Sequence, residues 1–341
     1  MRIAINGFGR VGRNIARALL GTENQVHADL ELAALNDLAP IAHSAHLLKY
    51  DSVYGQFQKP VSVERDRILI GDDRIEYLSE ADPSKANWGD LNIDLVLECT
   101  GCFSSAEKSS AHLEAGAKRV LISQPASGVD KTIVFGVNHE TLADSDLIIS
   151  NASCTTNCLA PLAKVINNNF VITEGLMITT HAYTNDQILL DINHSDLFRA
   201  RSAALSMIPT KTGAATAVGD VIPELKGKLD GMAIRVPTPT VSLLDFTFLT
   251  EKNFEISELD EVLEEASVSK LRNILDINND PLVSADFRGH SASCIYDKSH
   301  TRKTGSATKV LAWYDNEWAF SNRMLDVAMY VKQNLVAAKF A

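Results

Sequence analysis

Arg2-Ile-Ala-Ile-Asn-Gly-Phe-Gly-Arg-Val-Gly-Arg-Asn-Ile-Ala-Arg-Ala-Leu-Leu20 carries the reading that decides the fold. A short extended run, Arg2–Asn6, passes straight into Gly7, Gly9 and Gly12, and from Arg10 to Leu20 the apolar residues recur at helical spacing. Only in that order does the glycine spacing have a mechanical meaning. Gly7 makes a tight turn, Gly9 lets the backbone approach a pyrophosphate, and Gly12 lets the helix pack close to the strand, leaving Phe8, Arg10 and Val11 around a ligand at the helix N-terminus. Asp37 ends the next predicted strand, where a carboxylate accepts hydrogen bonds from a ribose 2′-hydroxyl and repels a 2′-phosphate. NAD is therefore favoured over NADP. Read alone, Asp37 is a strand-terminal turn residue.

Outward from this motif, Leu32–Asn36, Leu95–Thr100, Val120–Ser123 and Leu147–Ser150 read as buried strands, and Ala106–Ala115 as an amphipathic helix closed by Gly116. This is the rhythm of an α/β, doubly wound Rossmann domain, placed at residues 1–152. Thr100, Gly101 and Ser123 fall at strand carboxyl ends, where open sheets bind ligands. After Asn151 the texture changes. A helix runs from Thr155 to about Asn167, followed by strand-like stretches at Gly175–Ala182, Met232–Thr250, Ser293–Tyr296 and Lys309–Tyr314, with a helix at Glu258–Ala266. Long strands with few crossover helices predict an α+β domain on an antiparallel sheet, residues 153–319. The final segment, 320–341 with a helix at Ser321–Gln333, is assigned to the first domain. Ala182–Pro209 shows no periodicity and is too long for a plain connector, so it is a functional loop or an interface.

Lys plus Arg number 32 against 43 Asp plus Glu, a formal net charge of −11. That balance offers no footprint for nucleic acid or an anionic membrane. No apolar run reaches a membrane-spanning length and a strand starts directly after Met1, so a soluble, cytoplasmic protein without a signal peptide is expected. Five scattered cysteines suit reduced thiols, and no Cys or His set has the spacing of a metal site.

Ser153-Cys-Thr-Thr-Asn-Cys158 stands immediately before a helix pattern. A thiol at a helix N-terminus feels unpaired backbone N–H groups, which lower its pKa and favour thiolate, so Cys154 is the candidate nucleophile. Cys99, Cys102, Cys158 and Cys294 read as small buried hydrophobes.

Together with Asn6-Gly-Phe-Gly-Arg-Val-Gly-Arg13, the segments Ala152-Ser-Cys-Thr-Thr-Asn157, His181-Ala-Tyr-Thr-Asn-Asp-Gln187, Pro209-Thr-Lys-Thr-Gly-Ala214, Arg235-Val-Pro-Thr238 and Trp313-Tyr-Asp-Asn-Glu-Trp318 resemble the glyceraldehyde-3-phosphate dehydrogenase family, in its order and over nearly the whole chain. The resemblance implies NAD-dependent, phosphorylating oxidation of D-glyceraldehyde 3-phosphate to 1,3-bisphosphoglycerate through a cysteine thiohemiacetal and thioester, in glycolysis and gluconeogenesis. It implies Cys154 as nucleophile and His181 as its acid–base partner. Thr184, Asp186, Arg199 and Arg235 are implied for the substrate phosphate, and Ser153, Thr155, Thr212 and Gly213 for inorganic phosphate. Asn185 and Asn316 are implied as coenzyme contacts, Asn316 at the nicotinamide carboxamide, and the chain as a homotetramer whose long loop borders a neighbouring subunit. An arginine fork suits phosphate and never loses its charge.

Four places depart from the family pattern: Ala81 stands where an arginine is common, Asn193 for a proline, Phe198 for the first of two arginines, and Ala319-Phe320 for Gly-Tyr. The competing reading is an erythrose-4-phosphate dehydrogenase, whose members generally depart from Tyr-Thr-Asn-Asp and keep Glu after the strand-terminal Asn. Here Tyr183-Thr-Asn-Asp186 and Asn36-Asp37 stand against it. A NAD-binding module without catalysis would be expected to lose Cys154, His181, Arg199 or Arg235, and all four are present.

Overall fold

The computed structural model describes residues 1–21 and 26–336, so the end of the segment expected at 320–341 lies outside the described residues. The chain forms two compact units. The first comprises Met1–Phe135, His139–Ser153 and the segment from Ser321, the second Gly136–Asn138 and Cys154–Phe320.

The first unit is built on a nine-stranded sheet. Lys131–Thr132, Ile148–Ser150, Arg119–Ile122, Leu95–Glu98, Arg2–Asn6, Glu31–Asn36 and Asp73–Leu78 follow one another in parallel pairing. Arg67–Ile70 and Val61–Glu64 continue the sheet as an antiparallel edge. Ile3, Ala4, Ile5, Leu95, Val96 and Leu97 are fully buried, as strands covered on both faces require. The register pairs Asn6 with both Asn36 and Glu98, and Glu98 with Ile122, so the strands end at one level. From that level leave the Gly7 turn, Asp37, Thr100–Gly101 and Ser123. The helix Arg10–Leu20 has the predicted bounds. The edge hairpin was not legible, because the consecutive charges Glu64-Arg-Asp-Arg67 across its turn imitate a solvated loop.

The second unit carries a seven-stranded sheet in the order Ile208–Lys211, Leu229–Val236, Ile172–Ala182, Ser242–Thr250, Ala307–Tyr314, Cys294–Thr304, Leu275–Asn278. Four of its pairings are antiparallel and two, Ile172–Ala182 with Leu229–Val236 and Leu275–Asn278 with Cys294–Thr304, are parallel. The stretch expected as one strand at Met232–Thr250 is two. Pro237 and Pro239 break the ladder and Val241, at φ +67, turns the chain so that the halves flank Ile172–Ala182 on opposite sides. The helix Cys154–Phe170 packs on this sheet with Leu159, Leu162 and Ile166 fully buried. No regular element lies between Ala182 and Ile208, as the missing periodicity indicated.

Candidate active site

In the first unit the three glycines have separate duties. Gly7 sits at φ +92, and a Cβ there would fall 2.6 Å from the Thr100 nitrogen. At Gly12 a Cβ would fall 2.2 Å from the Gly7 carbonyl oxygen, so any side chain would push the helix off the strand. Gly9 faces open space with nothing within 4 Å, which is what close approach of a pyrophosphate needs. Asp37 accepts from the Phe8 N–H at 2.7 Å and from the Ala39 N–H at 2.9 Å, which ties the glycine turn to the second strand. Beside it Leu38, Ala39, Pro40, Ile41, Asp66, Tyr77 and Ser79 line an open pocket of about 310 Å³. The residues present thus fit an adenosine dinucleotide. Arg10 turns its guanidinium to Asp51 and over the Tyr54 ring, and Val11 is half-buried. Ala81 is exposed.

Under this loop lies a buried polar chain that sequence reasoning missed. Glu98, 1% exposed, accepts from Asn6 Nδ2 at 2.5 Å and from the Thr100 N–H at 2.8 Å and hydroxyl, and its Oε2 lies 3.0 Å from His112 Nε2. Trp88 donates to His112 Nδ1 at 3.0 Å, which leaves His112 its proton on Nε2, facing the carboxylate. Asn36 donates to Asn6 at 2.6 Å. The Asn6, Asn36 and Glu98 positions, polar residues ending apolar strands, were the available signal. Thr100 and Gly101 are exposed above this chain, Ser123 half-buried beside it. Cys102 is exposed and Cys99 half-buried, so neither is the buried hydrophobe expected; both lie at or past the strand end.

In the second unit Cys154 is the first residue of its helix. Ala152, at φ +55, makes the preceding turn, with Ser153 the half-buried link. His181 comes from the end of Ile172–Ala182, with Nε2 3.5 Å from the Cys154 sulfur. Its Nδ1 lies 2.6 Å from the Ala182 carbonyl oxygen. A carbonyl only accepts, so Nδ1 carries the hydrogen and Nε2 offers its lone pair to the thiol. Tyr314 stands edge-on to the imidazole, its hydroxyl 2.9 Å from Thr155 Oγ1 and 2.7 Å from Thr179 Oγ1, which locks the helix start to the histidine strand. Tyr314 and Thr179 were not singled out from sequence, although Tyr314 lies within a quoted motif.

Parallel register sets Arg235 opposite His181. Its Nη1 donates to the Ala182 carbonyl at 3.2 Å and to Thr184 Oγ1 at 3.4 Å, while its Nε has no partner among the described residues. Arg199 is held by Asp186, by Thr210 Oγ1 at 3.0 Å and by the Lys211 carbonyl at 3.4 Å. Thr156 donates to the Ala214 carbonyl at 3.3 Å, which brings the start of the helix Ala214–Val221 against the Cys154 helix. Thr212 caps that second helix by accepting from the Ala214 N–H, and Gly213 beside it is exposed. The Cys154 helix start and Arg235 thus stand beside one thiol, with the start of a second helix packed against the first, positive groups that favour an anion. Thr155 is buried with its hydroxyl committed to Tyr314. Asn185 is exposed on the loop; Asn316 is 6% exposed and accepts from Ser242 Oγ at 3.0 Å. Among the departures, Asn193 and Phe198 are exposed whereas Ala319 and Phe320 are buried.

The electrostatics correct one expectation. Burial pushes the Cys154 thiol up rather than down, with the Arg235 charge and hydrogen bonds from Thr155 only partly offsetting it. Burial and then Arg235 push His181 down to about 3. Taken one at a time, the surroundings shift both the thiol and the imidazole toward their neutral forms. Moving one proton from sulfur to Nε2 would put opposite charges in contact across 3.5 Å, which favours the pair ionising together over either group ionising alone.

Residues 1–106 match the family model described as the glyceraldehyde 3-phosphate dehydrogenase NAD binding domain, and residues 153–316 the one described as its C-terminal domain. The chain is 53% identical over 330 residues to the plasmid glyceraldehyde-3-phosphate dehydrogenase of Cupriavidus necator, covering 96% of this chain and 98% of that one. It is 51% identical over 329 residues to the Pseudomonas aeruginosa enzyme of that name, covering 96% and 97%. Identity to the Zymomonas mobilis enzyme is 49% over 338 residues, covering 98% and 99%.

Proposed function

The chain belongs to the glyceraldehyde-3-phosphate dehydrogenase family, and on that premise we propose which of its residues carry the NAD-dependent reaction. It is an NAD-dependent oxidoreductase acting on glyceraldehyde 3-phosphate; the three relatives named above bear that enzyme's name.

Cys154 attacks the aldehyde carbon while its proton passes to His181 Nε2, and the imidazolium returns that proton to the aldehyde oxygen to complete a thiohemiacetal. His181 then takes the hydroxyl proton as the carbon is oxidised to a thioester. NAD supplies the electron acceptor for that oxidation. Inorganic phosphate next attacks the thioester carbonyl and the thiolate leaves, giving the acyl phosphate. Arg235, Arg199, Thr184 and Asp186 hold the substrate phosphate, Asp186 by fixing Arg199. The attacking phosphate is held by Ser153, by the Thr155 backbone N–H with its hydroxyl on Tyr314, and by Thr212 and Gly213.

Gly7, Phe8, Gly9, Arg10, Val11, Gly12, Asp37, Thr100, Gly101 and Ser123 cradle NAD, with Arg10 acting through Asp51. Asn185 and Asn316 are further coenzyme contacts. Residues 1–152 with the C-terminal segment serve as the coenzyme domain and 153–319 as the catalytic domain. The working form is a cytoplasmic homotetramer without nucleic-acid or membrane partners. Among the described residues no helix is long and apolar enough to cross a membrane.

The observation that carries the proposal is the 3.5 Å contact between the Cys154 sulfur and a His181 Nε2 whose lone pair faces it. The test is NADH absorbance with glyceraldehyde 3-phosphate, with and without phosphate, and with erythrose 4-phosphate. Phosphate-dependent turnover that vanishes in Cys154→Ser supports the proposal. Turnover that survives Cys154→Ser contradicts it.

A further inference from the structure

Ser242 opens the strand Ser242–Thr250, pairs with Tyr314 across the ladder and is 1% exposed. Its single hydroxyl makes two bonds. The oxygen accepts from the Ala182 N–H at 3.1 Å, and the hydrogen is donated to Asn316 Oδ1 at 3.0 Å. Ala182 is the residue whose carbonyl holds His181 Nδ1 and receives Arg235. One buried oxygen therefore joins Ala182, the residue whose carbonyl orients the catalytic imidazole, to the amide of Asn316.

The Asn316 backbone has its own support. The adjoining Asp315 is fully buried and accepts from Thr240 Oγ1 at 3.1 Å, from the Glu317 and Trp318 N–H groups at 3.1 and 2.9 Å, and from the Gly289 N–H at 2.8 Å. The turn is thus set by Asp315, whereas the torsions of the Asn316 side chain are set by Ser242. Without that hydroxyl the amide can rotate on a turn that still stands.

We propose that Ser242 is a positioning residue for coenzyme recognition, holding the Asn316 amide in the one orientation that meets the nicotinamide carboxamide and registering it against the His181 strand end. This rests on the reading of Asn316 as a carboxamide contact. The proposal separates nicotinamide recognition, which passes through Ser242, from recognition of the adenosine end, which does not.

Calorimetry tests it with two ligands, NAD and ADP-ribose, which lacks the nicotinamide. Ser242→Ala should weaken NAD about tenfold, the effect of losing a buried hydrogen bond, and leave ADP-ribose unchanged. Asn316→Ala should do the same, and the double variant should bind NAD no more weakly than Asn316→Ala alone, since Ser242 acts through Asn316. Equal loss of both ligands in Ser242→Ala, unchanged NAD affinity, or additive losses in the double variant would each overturn the proposal. Should Asn316→Ala leave NAD affinity unchanged, the carboxamide reading itself fails and Ser242 falls with it. A loss in Asn316→Ala without one in Ser242→Ala removes only the role of Ser242.

Discussion

His181 and Arg235 occupy paired positions on parallel neighbouring strands, and Arg235 Nη1 lies 3.1 Å from His181 Nδ1. Both nitrogens are donors, and both converge on the Ala182 carbonyl. The guanidinium charge opposes an imidazolium and favours a thiolate, lowering the pKa of both His181 and Cys154. Arg235 is therefore a second source of thiolate stabilisation, besides its proposed role toward phosphate.

Arg235→Leu should raise the KM for glyceraldehyde 3-phosphate by about 10²-fold, the range for removing a partly desolvated charge partner. It should also move both Cys154 and His181 to higher pKa. Steady-state kinetics and the pH dependence of Cys154 alkylation read the two effects separately. An alkylation profile unmoved by the substitution would show that the guanidinium does not act on the thiol.

Asp37→Gly removes the acceptor of the Phe8 and Ala39 N–H groups and the carboxylate proposed to exclude a 2′-phosphate. NAD affinity should fall about tenfold or more while the preference for NAD over NADP shrinks, as measured by fluorescence titration with both coenzymes. A selectivity ratio that stays constant would place discrimination elsewhere.

What could be read from the chain was what depends on neighbours in sequence. Arg2–Asn6, the glycines and Arg10–Leu20 form one continuous local instruction, and Cys154 at a helix start is likewise local. The split at Pro237 and Pro239 was signalled by those prolines but masked by the apolar run across them. The Trp88–His112–Glu98 chain depends on three segments meeting, which no spacing announces. The helix start argued for a low Cys154 pKa, yet the sign is set by burial, a property of the packed unit. Exposure of Cys102 is tertiary in the same sense.

Acid stability should carry the signature of Asp326. Burial alone would raise this carboxyl, but the Arg323 guanidinium and His27, at 2.6 Å each, outweigh burial and hold it below the ordinary carboxylate range. A depressed folded-state pKa means its stabilisation is complete above the unfolded value of about 3.9 and is lost as pH falls through the lower folded value. Asp326→Asn should cost about 3 kcal/mol near neutrality, where it takes the carboxylate away from the buried Arg323 guanidinium, and lose less stability than the parent between pH 5 and 3. Thermal melts across that range decide it; parallel acid limbs would refute the assignment.

The long loop presents Leu189, Leu190, Ile192, Leu197, Phe198, Leu205 and Met207 at 63% exposure or more. So much exposed apolar surface in one loop favours burial between subunits. Light scattering should give about four times the 37.2 kDa chain mass at micromolar concentration. Leu197→Asp with Leu205→Asp should lower that mass. A monomer in the parent protein would contradict the tetramer.

The proposed Cys154 nucleophile arises by proton transfer to His181 Nε2. Its most direct test is the pH dependence of iodoacetamide alkylation at Cys154, followed by peptide mass spectrometry so that the exposed Cys102 is counted separately. In the parent protein the Cys154 rate should be nearly flat from roughly pH 6.5 to 8.5, because an internal proton transfer changes no net charge. In His181→Asn the rate should be at least about 10-fold lower at pH 7, climbing with pH as an isolated buried thiol must. Identical profiles in the two proteins would contradict the proton transfer.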